Sequence, residues 1–181
     1  MILEYENKKK ALRKYYLKNL KKNRSVKFVK KTSNLFRQQN ANKAKNISVH
    51  NFNKVLKINL KNKTATVEAM IRFEDLVDKT LKYDLLPPVV PQLKTITLGG
   101  AVSGIGIESS SFKYGLVHET VLEMEVMLPD GKIVKCTPKN KYKDLFFAIP
   151  NSYGTLGYIL KIKIKLVVAK KFVKIKYFKY T

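Results

Sequence analysis

The sequence predicts an α+β fold with two lobes, built from short mixed or antiparallel sheets and flanking helices. Several segments alternate apolar and charged residues, which is typical of half-buried strands, while others space their apolar residues as amphipathic helices do. A proline-rich passage, residues 85–91, separates the two halves of the chain. Short strands joined by turns, with only a few helices among them, favour this class over a regular alternation of strand and helix.

The first 25 residues are predicted to form a basic helical arm. Residues 7–23 are rich in lysine, and Leu12, Tyr16 and Leu20 recur every four residues, so we expect a basic amphipathic helix. Such a helix can bind a membrane surface or nucleic acid. The alternative, which we favour, is a surface helix whose narrow apolar stripe packs on the domain behind it.

Residues 26–91 are predicted to form the first lobe. The expected strands are residues 26–31, 47–49, 55–60 and 64–71, the last two joined by a hairpin turn. Apolar residues from Phe73 to Leu81 then fall at helical spacing. The passage over residues 85–91 is expected to end this helix, because proline lacks an amide donor and excludes its predecessor from the α region.

Residues 92–181 are predicted to form the second lobe. The expected strands are residues 121–128, 132–136, 158–166 and 172–180, and a short helix is expected over residues 145–149. Pro129-Asp130-Gly131 supplies a hairpin turn in which the glycine can adopt a positive φ.

The glycine-rich stretch from Thr97 to Ser111 is the strongest functional signal. Five of the eight glycines lie between Gly99 and Gly115, where bare backbone amides can curl around an anion and the serines at 109–111 add hydroxyl donors. We therefore expect a loop that holds a diphosphate. The alternative is a glycine-rich turn that satisfies only its own backbone. A Rossmann fingerprint is rejected, because no helical apolar period follows Ser109.

Composition limits the other function classes. The net charge of +24 would attract nucleic acid or acidic lipid, but only four of the basic residues are arginine, so specific nucleic-acid binding is not expected. Cys136 is the only cysteine, and neither histidine lies near a second cluster of ligand residues, so no disulfide and no metal site are expected. Without an apolar run of 18 residues, we expect a cytoplasmic protein, with peripheral association to an anionic membrane left open.

Two further segments accompany the glycine stretch, and together the three resemble a known family. The first is a donor-rich turn after a strand, and the second is residues 144–159, which contain a glycine loop at residues 151–157. The turn comprises Lys31, Thr32, Ser33, Asn34 and Arg37. In order and content the segments resemble the flavin-binding domain of the vanillyl-alcohol oxidase type, also called the PCMH type.

Within that superfamily, the sequence resembles the delta(24)-sterol reductase (dwarf1/seladin) family, specifically from Val55 to Tyr177, more weakly from Val26 to Asn53 and not before Val26. The motifs are Gly99-Gly100-Ala101-Val102-Ser103-Gly104-Ile105-Gly106, Leu128-Pro129-Asp130-Gly131, Cys136-Thr137-Pro138, Asp144-Leu145-Phe146, Gly154-Thr155-Leu156-Gly157 and Ala169-Lys170-Lys171-Phe172-Val173-Lys174.

The resemblance implies FAD held between two lobes. The residues expected beside its pyrophosphate and ribityl chain are Thr97, Gly99, Gly100, Gly104, Gly106, Glu108, Ser109, Ser110, Tyr114 and Gly115. Those expected near the adenosine are Gly154, Thr155, Gly157 and Ile159. Because residues 31–34 hold neither the glycine nor the histidine that many relatives carry there, the FAD should be noncovalent.

The resemblance also implies an activity: reduction of a C=C bond in a sterol or another alkene, with NADPH as the electron donor. The family's substrate domain would lie beyond Thr181, so the sequence is expected to hold the cofactor half alone, without an identifiable catalytic acid or base. The alternative function is a basic protein that binds nucleic acid or an anionic membrane on a retained or decayed flavin fold.

Overall fold

A computed structural model of the chain describes residues 1–22, 24–29 and 45–179, and it contains five α-helices and nine strands within those ranges. The helices are α1 (Ile2–Leu20), α2 (Phe73–Leu81), α3 (Leu98–Ser103), α4 (Ser111–Tyr114) and α5 (Lys143–Ala148). The strands are β1 (Val26–Val29), β2 (Lys45–Ser48), β3 (Val55–Asn59), β4 (Thr64–Glu68), β5 (Leu85–Leu86), β6 (Val121–Met127), β7 (Ile133–Cys136), β8 (Tyr158–Lys165) and β9 (Val167–Val168).

The strands form three sheets, and the largest is antiparallel throughout. It has five strands in the order β3-β4-β8-β6-β7, while β1 pairs with β2 in parallel and β5 pairs with β9 antiparallel. The register places Ala65 opposite Ile164 and Val126 opposite Ile159. The predicted α+β class with short mixed and antiparallel sheets is therefore confirmed.

The five-stranded sheet draws its strands from both sides of residue 91. β3 and β4 precede the proline passage and β6, β7 and β8 follow it. Their inward side chains, including Val67 and Ile162, belong to one hydrophobic core together with Leu76 of α2 and Val102 of α3. The predicted division into residues 1–25, 26–91 and 92–181 stays a prediction.

Helix α1 packs on the domain, as the favoured alternative for the arm predicted. It buries Tyr5, Leu12 and Tyr16, three positions on one face of the helix. The Tyr16 hydroxyl donates to the Pro129 carbonyl over 2.8 Å, so the helix is also tied to the turn between β6 and β7. No described helix combines the length and the apolar character needed to cross a membrane.

Two predictions about secondary structure are wrong. Residues 172–179 contain no strand, because no strand among the described residues lies beside them to pair with. The glycine-rich stretch begins with α3 rather than with a loop. The amides of Leu98 and Gly99 donate to the carbonyls of Ile71 and Ala69, and these tertiary bonds hold the start of the helix in place.

Candidate functional site

In the first half of the glycine stretch, the backbone amides donate hydrogen bonds to acceptors within the protein. Thr97 is 2% exposed and caps α3, its Oγ1 accepting a hydrogen bond from the Gly100 amide over 3.3 Å. The Gly99 amide donates to the Ala69 carbonyl over 2.8 Å, and a Cβ at Gly99 would lie 2.9 Å from that oxygen. Thr97 and Gly99 thus fix the start of α3, with Gly99 held against Ala69 just after β4.

Helix α3 ends in a strained turn. The Gly106 amide donates to the Ala101 carbonyl over 2.8 Å, which is the hydrogen bond across six residues that is typical of a Schellman-type helix end. This geometry requires a positive φ at Ile105, which is 53°, at a position where glycine is usual. A β-branched residue in this region is an outlier, and such strain is concentrated at functional sites.

The second half of the stretch presents donors that the described fold does not use. The amides of Ile105, Ile107 and Ser109 have no acceptor among the described residues, and the Ser109 side chain is exposed. Glu108 and Ser110 are engaged instead: the Glu108 amide donates to the Ser111 hydroxyl and the Ser110 hydroxyl to the Pro88 carbonyl. This set of donors suits an anion.

The second glycine loop meets the end of α3. The Tyr153 amide donates to the Ser103 carbonyl over 3.1 Å, and a Cβ at Gly104 would lie 3.5 Å from the Tyr153 ring. The structure thus brings together two of the three segments that the sequence singled out. Tyr153, which is 52% exposed, was not among the predicted residues; its position beside Gly154 was the available signal.

The remaining predicted residues of this loop have separate roles. Gly154 has φ 84° with open space beside it, and the Thr155 hydroxyl donates to the Ser152 carbonyl over 2.7 Å. Gly157 allows close packing, because a Cβ there would lie 2.9 Å from the Met127 carbonyl oxygen. Ile159 is a core residue of β8, 5% exposed.

A short 3₁₀ turn, Val117–Thr120, supports the glycine stretch from the other side. The Val117 amide donates to the Gly106 carbonyl over 3.0 Å, and a Cβ at Gly106 would lie 2.8 Å from the Val117 side chain. Gly115 has φ 77° and faces the carboxylate of Glu119, while Tyr114 is half-buried against the core.

His118, in the same turn, was also missed by the sequence reasoning. Its Nδ1 is buried and has no hydrogen-bond partner among the described residues. A lone histidine gives no sequence signal for such a position; only the bond between Val117 and Gly106 reveals that it lies next to the glycine stretch.

The donor-rich turn, Lys31 to Arg37, lies outside the described residues, so its place relative to the other two segments stays a prediction. Within the ranges that the structure describes, no group of three histidine, cysteine or acidic side chains could hold a metal ion.

Comparisons with a family model and with individual proteins point to the same family. A family model described as "FAD binding domain" matches residues 9–137. The Delta(24)-sterol reductase of Pisum sativum is 40% identical over 126 residues, which is 70% of this chain and 22% of the pea protein. The human Delta(24)-sterol reductase is 38% identical over 133 residues, covering 74% of this chain and 25% of that protein. The chain thus spans about a quarter of the length of these relatives.

The fold is also that of a solved structure. The 6-hydroxy-D-nicotine oxidase of Arthrobacter nicotinovorans superposes with a TM-score of 0.74 at 16% identity, covering 87% of this chain and 34% of the oxidase. At this identity the similarity concerns the fold alone.

Proposed function

The chain belongs to the family of FAD-binding domains related to the Delta(24)-sterol reductases, and from this premise we propose that it binds FAD noncovalently as the cofactor module of a reductase that acts on a C=C bond. One observation carries the proposal. The amides of Ile105, Ile107 and Ser109, which have no acceptor within the part of the chain that the structure describes, lie in the stretch that the bond between Tyr153 and Ser103 joins to the second glycine loop.

The residues present fit a flavin nucleotide. Its diphosphate needs several donors that the protein itself does not consume, and residues 105–109 supply three amides and a serine hydroxyl. The Nδ1 of His118, which is buried and has no hydrogen-bond partner among the described residues, belongs to the turn packed on Gly106. Noncovalent attachment is proposed because residues 31–34 contain no histidine.

The predicted contacts divide along the cofactor. The residues proposed for the pyrophosphate and ribityl side act through the backbone of residues 104–109, with Thr97 and Gly99 fixing α3 beneath them. The residues proposed near the adenosine are Gly154, Thr155, Gly157 and Ile159, where backbone groups rather than side chains would make the contacts. Lys31 to Arg37 are proposed to complete the anion site.

When bound, FAD supplies hydride transfer, and the residues of this chain bind and orient it. NADPH as electron donor and a sterol or another alkene as substrate are further proposals, which the resemblance to the Delta(24)-sterol reductases motivates. The choice of electron donor is tested by mixing the FAD-loaded chain with NADPH without oxygen. Loss of the visible absorbance of oxidised flavin is the expected result.

The alternative is a basic protein that binds nucleic acid or an anionic membrane. Several lysines are already committed to the fold: Lys8 pairs with the buried Glu68, and Lys9 and Lys161 pair with the half-buried Glu125. These charges hold α1 and the strands together and do not form a free binding face. The alternative predicts binding of DNA or lipid vesicles that weakens steeply with salt, by release of counterions.

Calorimetric titration with FAD, together with gel filtration of the mixture, tests the proposal. Ser109→Asp should lower the affinity for FAD at least about tenfold, because its carboxylate would repel the diphosphate, whereas Ser109→Ala should lower it far less. Asn62→Asp, in the exposed turn between β3 and β4, adds the same charge as a control and should leave affinity unchanged. Absence of any FAD binding by the folded chain would refute the function.

A further inference from the structure

The two faces of the five-stranded sheet differ in character. Ile162 and Ile164 of β8 lie in the hydrophobic core, so Lys161, Lys163 and Lys165, which alternate with them, lie on the opposite face. We call this opposite face the outer face of the sheet. Its charge changes from one end of β8 to the other.

At one end, the outer face carries a net negative charge and receives a basic helix. Lys161 lies between Glu68 of β4 and Glu125 of β6 in the register of the sheet. Helix α1 covers this row, because Lys8 pairs with Glu68 and Lys9 pairs with Glu125. The contact between α1 and the sheet therefore depends on opposite charges.

The other end of the outer face carries the opposite charge. In the next row, Lys163 lies opposite Thr66 of β4, and Lys57 of β3 lies opposite the same threonine on its other side. One row further, Lys165 lies opposite Thr64. Lys57 and Lys165 are exposed, Lys163 is half-buried, and none of the three forms an ion pair with a described residue. We call these three lysines the lysine face.

The carboxylate nearest to the lysine face is already paired. Glu123 of β6 lies opposite Lys163 in the register, but its carboxylate pairs with Lys135 of β7 over 2.7 Å. The lysine face thus keeps a positive charge that the described residues do not balance. On a chain with a net charge of +24, such a surface attracts an acidic partner and speeds its approach.

The shape of the outer face favours a helix as that partner. A helix is about 10–12 Å thick, so the lysine face lies about that far below the outer surface of α1. The distance across β3, β4 and β8 is two strand spacings, about 10 Å, which is close to the width of one helix. Lys163 and Lys165 lie about 7 Å apart along β8, similar to the spacing of helical residues three or four positions apart.

The same features disfavour two other anionic partners. A flat bilayer that rests on α1 would not reach the sheet beside it. A nucleic acid favours arginine and aromatic side chains, and the lysine face contains neither.

We propose that the lysine face binds an acidic helical segment of another polypeptide, which lies on the sheet beside α1. Its carboxylates pair with Lys57, Lys163 and Lys165, and the contact repeats, with the charges exchanged, the one that α1 makes with the sheet. The surface is distinct from the candidate cofactor site. β8 begins just after the second glycine loop, and Lys165 lies about 23 Å along the strand from Tyr158. The inference therefore does not depend on the proposed function.

The test uses the full 181-residue chain and, as the probe, a synthetic alanine-rich helical peptide of about 20 residues with glutamates on one face. Fluorescence anisotropy of the labelled peptide at low ionic strength measures its affinity. Lys163→Gln combined with Lys165→Gln should weaken binding at least about fivefold, because two ion pairs are lost. The same peptide with glutamine in place of glutamate should not bind.

A second double variant provides the matched control. Lys79 and Lys82 are exposed at the end of α2, which packs on the core side of the sheet. Lys79→Gln combined with Lys82→Gln removes the same charge and should weaken peptide binding less than about twofold. Urea unfolding verifies that both double variants remain folded.

Chemical acetylation of the unmodified chain gives a readout that needs no variant. The peptide should protect Lys57, Lys163 and Lys165 from the reagent and leave Lys79 and Lys82 reactive. The inference fails if the peptide neither binds nor protects these lysines, or if the two double variants lose affinity equally. It also fails if duplex DNA or phosphatidylserine vesicles protect the lysine face and the peptide does not.

Discussion

The backbone amide of Tyr153 donates to the carbonyl of Ser103 over 3.1 Å, and this single bond ties the loop before β8 to the end of α3. The Tyr153 ring then covers Gly104, where a Cβ would lie 3.5 Å from the ring and 3.0 Å from the Gly100 carbonyl. Two glycine-containing segments, about 50 residues apart along the chain, are therefore held as one surface.

Substitution of Gly104 should separate cofactor binding from folding. Gly104→Val drives branched methyl groups against the Tyr153 ring, so we expect the affinity for FAD to fall at least about tenfold. Both variants bring a Cβ to 3.0 Å from the Gly100 carbonyl, but Gly104→Ala adds only one methyl, at ordinary contact distance from the ring, and should change affinity less than about threefold. Calorimetry measures both, and urea unfolding verifies that the two variants remain folded. Equal affinities would contradict the role of this contact.

Gly157 and Gly154 allow the cost of a close contact to be compared with the cost of backbone strain. A Cβ at Gly157 would lie 2.7 Å from the Val126 side chain and 2.9 Å from the Met127 carbonyl, and the backbone atom cannot move aside. Gly157→Ala should therefore cost about 2–3 kcal/mol of unfolding free energy. Gly154 has open space but a φ of 84°, so Gly154→Ala should cost about 1 kcal/mol from strain alone. Urea denaturation of the two variants gives the comparison; a larger loss at Gly154 would contradict it.

The strands could be predicted from the sequence because their pattern is local. Lysine and isoleucine alternate over β8, and this alternation requires only a sheet with one buried face. Helix α3 could not be predicted, since its glycines disfavour a helix and tertiary bonds to Ile71 and Ala69 hold its start in place. The same limit applies to the site. Glycine density located residues 97–115, but the amides that donate inside the fold depend on the tertiary contacts of the stretch, such as those with Ala69 and Ile71 just after β4.

The lysine content of α1 has a structural use that composition does not reveal. Glu68 is fully buried in β4, where one carboxylate oxygen accepts from the Lys54 amide over 2.8 Å and the other pairs with the Lys8 ammonium. A buried carboxylate that loses its counter-ion is costly, so Lys8→Met should reduce the unfolding free energy by about 3–5 kcal/mol.

Lys54→Met provides the matched control for that substitution. The Lys54 ammonium pairs with Glu4 over 2.9 Å, but both side chains are about half exposed to solvent. Its replacement should cost no more than about 1 kcal/mol. Thermal or urea unfolding would measure both variants, and losses of similar size would show that burial of Glu68 is not what makes Lys8 important.

The carboxylate of Glu125 should make the stability of the protein depend on pH in the acidic range. Burial raises the pKa of Glu125, but hydrogen bonds from Lys161, from the Tyr5 hydroxyl at 2.6 Å and from Lys9 outweigh it, so the pKa lies below its ordinary value. A lowered pKa contributes stability above the unfolded-state value, and this contribution is lost as the pH falls through the folded-state pKa.

Unfolding curves recorded from neutral to acidic pH should therefore show that the free energy of unfolding falls more steeply with pH for the unmodified chain than for Glu125→Gln. The variant starts less stable at neutral pH, because its amide cannot pair with two ammonium groups. Asp130→Asn is the control: its carboxylate is exposed, and hydrogen bonds from the backbone and side chain of Lys132 lower its pKa at the surface. For Asp130→Asn, the slope of unfolding free energy against pH should differ little from that of the unmodified chain. Identical slopes for all three proteins would contradict the assignment to Glu125.

Cys136 should be chemically inert while the protein is folded. It lies in β7, is 0% exposed, and burial raises the pKa of its thiol to about 11. Since the thiolate is the reactive form, a rise of this size together with the lack of access should slow reaction with a soluble aromatic disulfide at mildly alkaline pH by at least about a hundredfold relative to the chain in urea. The released chromophore reports the rate in both conditions. Rapid labelling without denaturant would mean that β7 leaves the edge of the sheet, because the thiol is reachable only when its pairing with β6 opens.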